Sequence, residues 1–233
     1  MQTPPRRAQT STGRTLTRPA VPRPATTSPV IVAVVALIVV TAIGLLITAS
    51  PGWSPAEDQL IRAVQSVGGV WTEAIAGAIG IAFGPAGAVL VVLIVLAIAY
   101  LRTRSWRVTL RTAVVIAVPW AIAEVMKDIV RRPRPDPALL GKAATTPMTF
   151  SYPSGHTAFA AALGMAVVLV LVTGRARAAA IAVAAVVVLL TGWSRIYLGA
   201  HYPTDVIASI VLVPLLAVAT DRLTRRIRPL VMT

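Results

Sequence analysis

The chain has 233 residues, 56% of them hydrophobic and only 13% charged, with a formal net charge of +14 and no cysteine. This excludes an ordinary soluble domain, whose surface would be left with large uncovered apolar areas, and it excludes disulfides and thiolate metal sites. The positive charge does not point to nucleic acid: aromatic residues are few, and the arginines cluster between apolar blocks with no helix-turn-helix or stacking pattern.

Residues 1–28 are rich in Pro, Thr, Ser and Arg and read as a disordered basic tail. Val30 to Ala49 then runs without a charge for about the length needed to cross roughly 30 Å of hydrocarbon. The run is too long for the apolar region of a cleaved signal, so it reads as an uncleaved first helix. Ser50–Thr72 follows, with Pro51, Gly52, Trp53 and the acidic pair Glu57 and Asp58. Ser54 and Glu57 have the spacing of a capping box opening a short amphipathic helix, with Leu60, Ile61 and Val64 on one face. That helix is expected along the membrane interface, with Trp53 and Trp71 at headgroup depth.

Ala74–Leu101 is a second apolar block, in which Gly77, Gly80, Gly84 and Pro85 suggest a re-entrant or loosely wound start. Four more spans are predicted, at roughly 108–127, 156–173, 178–194 and 203–220. Pro119 is expected to kink the first of these four, which a bundled helix can absorb. The predicted fold is an all-α polytopic membrane bundle of six transmembrane helices over residues 29–221, followed by a basic tail at 222–233. No internal repeat is visible, so the inverted-repeat logic of transporters gains no support.

With the N-terminus in the cytoplasm, fifteen basic residues fall on the inner side and seven on the outer. The positive-inside rule therefore places both termini in the cytoplasm. Three polar motifs then share the outer face, although nothing in the count required it.

Lys127 ends one span, and Arg134-Pro135 follows in a loop that Pro133, Pro135 and Pro137 keep from being helical. An ammonium and a guanidinium so placed can approach one oxyanion from two directions. Taken alone, the pair fits interfacial snorkelling equally well. Pro153-Ser154-Gly155-His156 precedes an apolar run, so Ser154 reads as an N-cap residue and the free N–H groups of the helix start face an anion. Gly155 lets the backbone come close, and His156 can reach a leaving oxygen. Ser194-Arg195 closes the next span, and His201 sits in a Tyr-Pro turn four residues before Asp205. Asp205 can accept from Nδ1 of that ring and leave Nε2 as a nucleophile. A capping Asp beside a satisfied His is the plainer reading, and Arg195 argues against it because an unpaired cation near hydrocarbon is costly. Arg131, Arg132 and Lys142 read either as steering cations or as headgroup contacts.

In this order and spacing the motifs, K-x6-R-P, P-S-G-H and S-R-x5-H-x3-D, closely resemble those of the type 2 phosphatidic acid phosphatase (PAP2) superfamily. Every specified position between Lys127 and Asp205 is filled. The resemblance implies that His201 is the nucleophile and forms a phosphohistidine, that Asp205 orients it, and that His156 acts as acid and then base. It implies that Lys127, Arg134, Arg195, Ser154 and Gly155 hold the phosphate oxygens. No metal or other cofactor is expected, since three side-chain cations can neutralise the oxygen charge that Mg²⁺ usually does. A bell-shaped pH profile is expected, with His201 neutral and His156 protonated.

The expected partners are the lipid bilayer and a lipid phosphate substrate: a polyprenyl diphosphate, phosphatidylglycerol phosphate or phosphatidate. The expected location is a cell membrane, in a bacterium, with the site on the extracytoplasmic face. A lipid phosphotransferase would use the same motifs, and a catalytically silent lipid-phosphate binder or transporter is the reading from another class. Haloperoxidase chemistry at a related anion site fits poorly with membrane spans.

Overall fold

A computed structural model describes residues 28–140 and 149–226. The tail expected at 1–28 lies, but for Ser28, outside the described residues, as do Lys142 and the last seven residues. Every regular element among the described residues is helical.

Helix α1 spans Pro29–Ala49, α2 Trp53–Ser66, α3 Val70–Ala82 and α4 Pro85–Thr103. Helix α5 spans Trp106–Val130, α6 is the short Pro137–Leu140, and α7 is Gly155–Ala166, continued by a π-helical turn at Val167–Leu171. Helices α8 (Ala176–Tyr197) and α9 (Pro203–Arg226) complete the bundle. The four predicted late spans match α5, α7, α8 and α9 to within a few residues. The loosely wound start of the second block is a break at Phe83-Gly84, with Pro85 opening α4 at the position where its missing N–H costs nothing. Helix α5 runs unbroken across Pro119.

Among the described residues, four helices, α1, α4, α8 and α9, are long and apolar enough to cross a membrane. Their outer faces expose Ile38, Leu46, Leu90, Leu93, Val183 and Leu189, an apolar exterior that suits hydrocarbon rather than water. Helix α7 sits at the centre, packed against α5, α8 and α9. Its alanines allow this: Ala158, Ala160, Ala161, Ala162 and Ala166 are all buried, and such small side chains let neighbouring helices approach closely. The central helix is thus held on three sides, and its N-terminus is fixed where the motifs meet.

Helix α2 departs from expectation. Ser54 is no cap, because the helix starts at Trp53 with Gly52 at the N-cap and no side-chain cap bond. Its buried residues are Glu57, Asp58 and Ile61, while Leu60 is exposed. A buried arginine on another element, Arg132, draws the acidic face inward. Burial raises the Asp58 carboxyl above its ordinary range, opposed chiefly by Arg62.

Candidate active site

The structure brings the eight residues singled out from the sequence to one end of the bundle, each from a different local rule. Ser154 is the N-cap residue of α7, and its side chain does not cap the helix; its hydroxyl pairs with Thr157 Oγ1 at 3.0 Å. The first-turn N–H groups are therefore unclaimed by any cap, as an anion site requires. Ser154 N–H donates to the Asp205 carbonyl at 3.0 Å, and Ser209 Oγ donates to the Ser154 carbonyl at 2.9 Å, which fixes the start of α7 against the start of α9.

Gly155 lets the Lys127 and Glu124 side chains come close to the start of α7. A Cβ there would stand 2.8 Å from Lys127 Nζ and would collide with Glu124 Oε1. Lys127, in the last turn of α5, is buried and pairs with Glu124 at 2.8 Å. Glu124 is a carboxylate the sequence reading did not single out. Its spacing three residues before Lys127 on a helix was the available signal.

On the other side of the site, α3 supplies backbone oxygens. Arg195 Nη2 donates to the Ala76 carbonyl at 3.2 Å and to Ser194 Oγ at 2.7 Å, and Ser194 Oγ donates to the same carbonyl at 2.9 Å. A Cβ on Gly80 would meet the Arg195 guanidinium, so the glycine lets that side chain lie against α3. The Gly80 carbonyl also lies 3.3 Å from His156 Nε2. A carbonyl can only accept, so His156 carries its proton on Nε2.

His201 is in the opposite state. Arg134 Nη1 lies 3.1 Å from His201 Nε2, and a guanidinium can only donate. Nε2 therefore presents its lone pair, and Nδ1 carries the proton. Nδ1 faces Asp205 Oδ2 at 3.4 Å without hydrogen-bond geometry and has no other partner. Burial pushes the His201 imidazole down to about 4; the Asp205 carboxylate opposes this and the Arg134 charge adds to it.

Arg134 is held by donations to the carbonyls of Thr149, Ala200 and Phe150 and to Thr149 Oγ1. Burial also lowers its guanidinium below the ordinary value, against the pull of Asp205 and Glu124. His156 lies within electrostatic reach of Arg195, His201 and Lys127, so both imidazoles and the cations share one space. Among the described residues, no three His, Cys, Asp or Glu side chains gather into a metal cage.

One expectation is corrected here. Arg132 neither steers nor meets headgroups; it is fully buried, with Nη1 on Asp205 Oδ1 at 2.7 Å and Nη2 on Glu57 Oε2 at 2.6 Å. Arg131 is the exposed one, ending α5 in the left-handed region.

Known proteins resemble this chain in sequence and in fold. The family model of the PAP2 superfamily matches residues 106–228. The chain is 34% identical over 111 residues to a decaprenylphosphoryl-5-phosphoribose phosphatase of Mycobacterium tuberculosis, covering 48% of this chain and 56% of that protein. It is 35% identical over 111 residues to an undecaprenyl-diphosphatase of Sulfolobus acidocaldarius, covering 46% and 50%. The chain thus spans about half the length of the curated relatives it matches. In fold it is similar to the crystal structure of a transmembrane PAP2-type phosphatidylglycerolphosphate phosphatase from Bacillus subtilis, with a TM-score of 0.70 and 21% identity over 87% of this chain and 99% of that one.

Proposed function

This chain belongs to the PAP2 superfamily, and from that premise we propose that it is a membrane phosphatase that hydrolyses a lipid phosphate or diphosphate through a phosphohistidine on His201, without a metal. The observation that carries this reading is the opposite state of the two imidazoles. His201 Nε2 faces a donor-only guanidinium with its lone pair, while His156 Nε2 faces an acceptor-only carbonyl with its proton. One presents a lone pair for attack; the other presents an N–H that passes to the leaving oxygen once its ring is the imidazolium.

The substrate phosphate takes over the donors of Lys127, Arg134 and Arg195, the Ser154 hydroxyl and the Gly155 N–H. Arg134 moves its Nη1 bond from Nε2 to a phosphate oxygen, which frees the lone pair. Nε2 attacks phosphorus, the bond to the leaving oxygen breaks, and His156 protonates that oxygen. The N-phosphorylated ring keeps its Nδ1 proton and gains a positive charge, so the 3.4 Å contact with Asp205 shortens. His156 then removes a proton from water, which attacks phosphorus and returns His201 to its neutral form. Catalysis rests on positioning and on neutralising oxygen charge, as phosphoryl transfer requires.

Six crossings are proposed: the four long apolar helices, together with α5 and with α7 extended by its π turn. The excess of arginine on one side supports cytoplasmic termini and a site at the outer face. A substrate anchored in lipid suits that depth. An apolar groove between α1 and α9, lined by Val40, Ile43, Ile47, Ile207 and Val211, runs beside Tyr152 and Thr204 at the edge of the site. Polyprenyl-linked phosphates are the favoured class, since both curated relatives described above carry a polyprenyl substrate in their names.

The test is phosphate release by purified protein in detergent with EDTA, on a panel of polyprenyl diphosphates, phosphatidylglycerol phosphate and phosphatidate, beside His201→Ala. Release that depends on His201 and survives EDTA is expected, with a bell-shaped pH profile where chemistry limits the rate. Release abolished by EDTA would sink the metal-free mechanism. No release from any substrate would favour a transferase or a lipid-phosphate binder.

A further inference from the structure

We propose that Glu57 and Arg132 are positioning residues for the transfer step, acting through Asp205 on His201; this rests on the function proposed above. Neither is a specified position of the three motifs, and neither faces the phosphate-binding space. Arg132 lies behind Asp205 with its side chain wholly buried. Nη1 donates to Asp205 Oδ1 and to Thr204 Oγ1, each at 2.7 Å. Nη2 donates to Glu57 Oε2 at 2.6 Å and to Ser54 Oγ at 3.1 Å, and the guanidinium lies 3.9 Å from the centre of the Tyr202 ring. Asp205 is therefore held at both oxygens: Oδ1 by Arg132, and Oδ2 by the Tyr202 N–H at 2.9 Å, facing His201.

Charge balance gives Glu57 its role. Arg132 paired with Asp205 alone would neutralise the carboxylate that must stabilise the positive ring of the phosphohistidine. Glu57 gives the guanidinium a second carboxylate, so the buried group of Glu57, Arg132 and Asp205 keeps one net negative charge. As Nε2 bonds to phosphorus and the leaving oxygen departs with the proton from His156, the ring becomes positive and the group plus ring becomes neutral. In a site this buried, such a change in net charge weighs heavily. Glu57 also fixes where Asp205 stands. Its Oε1 accepts from Thr204 N–H at 2.8 Å and its Oε2 from Thr204 Oγ1 at 2.9 Å, so it satisfies the first turn of α9 from outside. Helix α2, absent from the motif pattern, is thereby a working part of the site.

The experiment uses full-length protein in detergent, with a short-chain polyprenyl diphosphate and EDTA. It compares wild type, His201→Ala, Glu57→Gln and the double variant Glu57→Gln/Arg132→Gln. Glu57→Gln leaves Asp205 neutralised by Arg132. We expect kcat to fall about ten-fold or more with KM within about twofold, because Glu57 does not touch the phosphate. The acid limb of kcat should move to lower pH, since the groups facing His201 are then only Lys127 from α5, Arg134 from the following loop, His156 from α7 and a quenched Asp205 on α9. Removing the Arg132 charge as well restores one net negative charge, so the double variant should recover part of the lost kcat. A staple with no electrostatic role would instead lose further in the double variant. An unchanged kcat in Glu57→Gln, a loss confined to KM, or additive losses in the double variant each overturn the proposal. If Glu57→Gln does not fold, the charge-keeping Glu57→Asp is compared with the double variant: kcat in both nearer to wild type than to His201→Ala is expected, and a loss in both as large as that of His201→Ala overturns the proposal. Failure of the underlying function is read separately: wild type would then release no phosphate, or His201→Ala would release as much.

Discussion

Helix α9 carries an arginine–carboxylate cluster at each end, and the two are built in opposite senses. At its start, Asp205 and Glu57 share the single cation Arg132, and all three side chains are buried. Sixteen residues on, about 24 Å along the axis, the lone carboxylate Asp221 is shared by Arg111 and Arg225, the latter half exposed. The first cluster keeps a net negative charge, with Asp205 Oδ2 facing His201 Nδ1. The second keeps a positive charge open to its surroundings, at the end of the bundle where arginine is abundant and helix orientation is set. On the function proposed above, the same side chains would serve chemistry or anchoring according to which sign is left over and how deeply it is buried.

The sharpest way to break this comparison is to substitute the two aspartates. Asp205→Asn should lower phosphate release by about 10³-fold or more, by the logic of removing an orienting carboxylate from a catalytic histidine. Asp221→Asn should leave kcat within about twofold. Equal losses in both would mean that α9 merely needs its charges to fold. The next effect is on pH stability, and only the His201 end should produce it. Because burial holds the His201 imidazole down to about 4, the unfolded chain binds a proton between pH 6.5 and 4 that the folded protein does not. His201 therefore costs nothing above about pH 6.5; below it stability falls, and the loss levels off under about pH 4, at on the order of 3 kcal/mol. Thermal unfolding of wild type and His201→Gln across that range should diverge as the pH falls. Parallel curves would mean that the imidazole is protonated when folded.

The three motifs were legible because each is local. A proline-broken loop, a glycine before a helix start and a histidine four residues from an aspartate are all set within a few residues, and the loops between helices had only to bring them together. The long apolar runs behaved likewise: α1, α8 and α9 fell where hydropathy placed them. The chemistry of α2 was not legible. Glu57 acts on Arg132, seventy-five residues away, and its spacing from Ser54 imitates a capping box that the helix does not use. Three arginines within four residues also hid which one is buried. Arg132 turns to Asp205 and Glu57 while Arg134 turns to His201, and those partners lie on other elements. The missed contributions are those made by side chains from one element on the backbone or charge of another, as with the α3 carbonyls that meet Arg195 and His156.

At the distal cluster, Asp221→Asn should lower stability by on the order of 1–2 kcal/mol, less than a fully buried pair would lose because the arginines reach solvent. The mildest change sharpens the comparison most finely. Arg225 donates to Asp221 Oδ2 at 2.9 Å across one helical turn, with half its side chain exposed. Arg225→Ala should therefore cost less than about 0.5 kcal/mol, and the cost should shrink in high salt, as for exposed pairs in general. Melting temperatures in low and high salt measure it. Arg111, which reaches the other oxygen of Asp221 through two nitrogens, then carries the cluster alone. A loss as large as that of Asp221→Asn would mean that one arginine is not enough. The distal end would then resemble the catalytic end in needing both of its partners, and the leftover charge would no longer be what sets them apart.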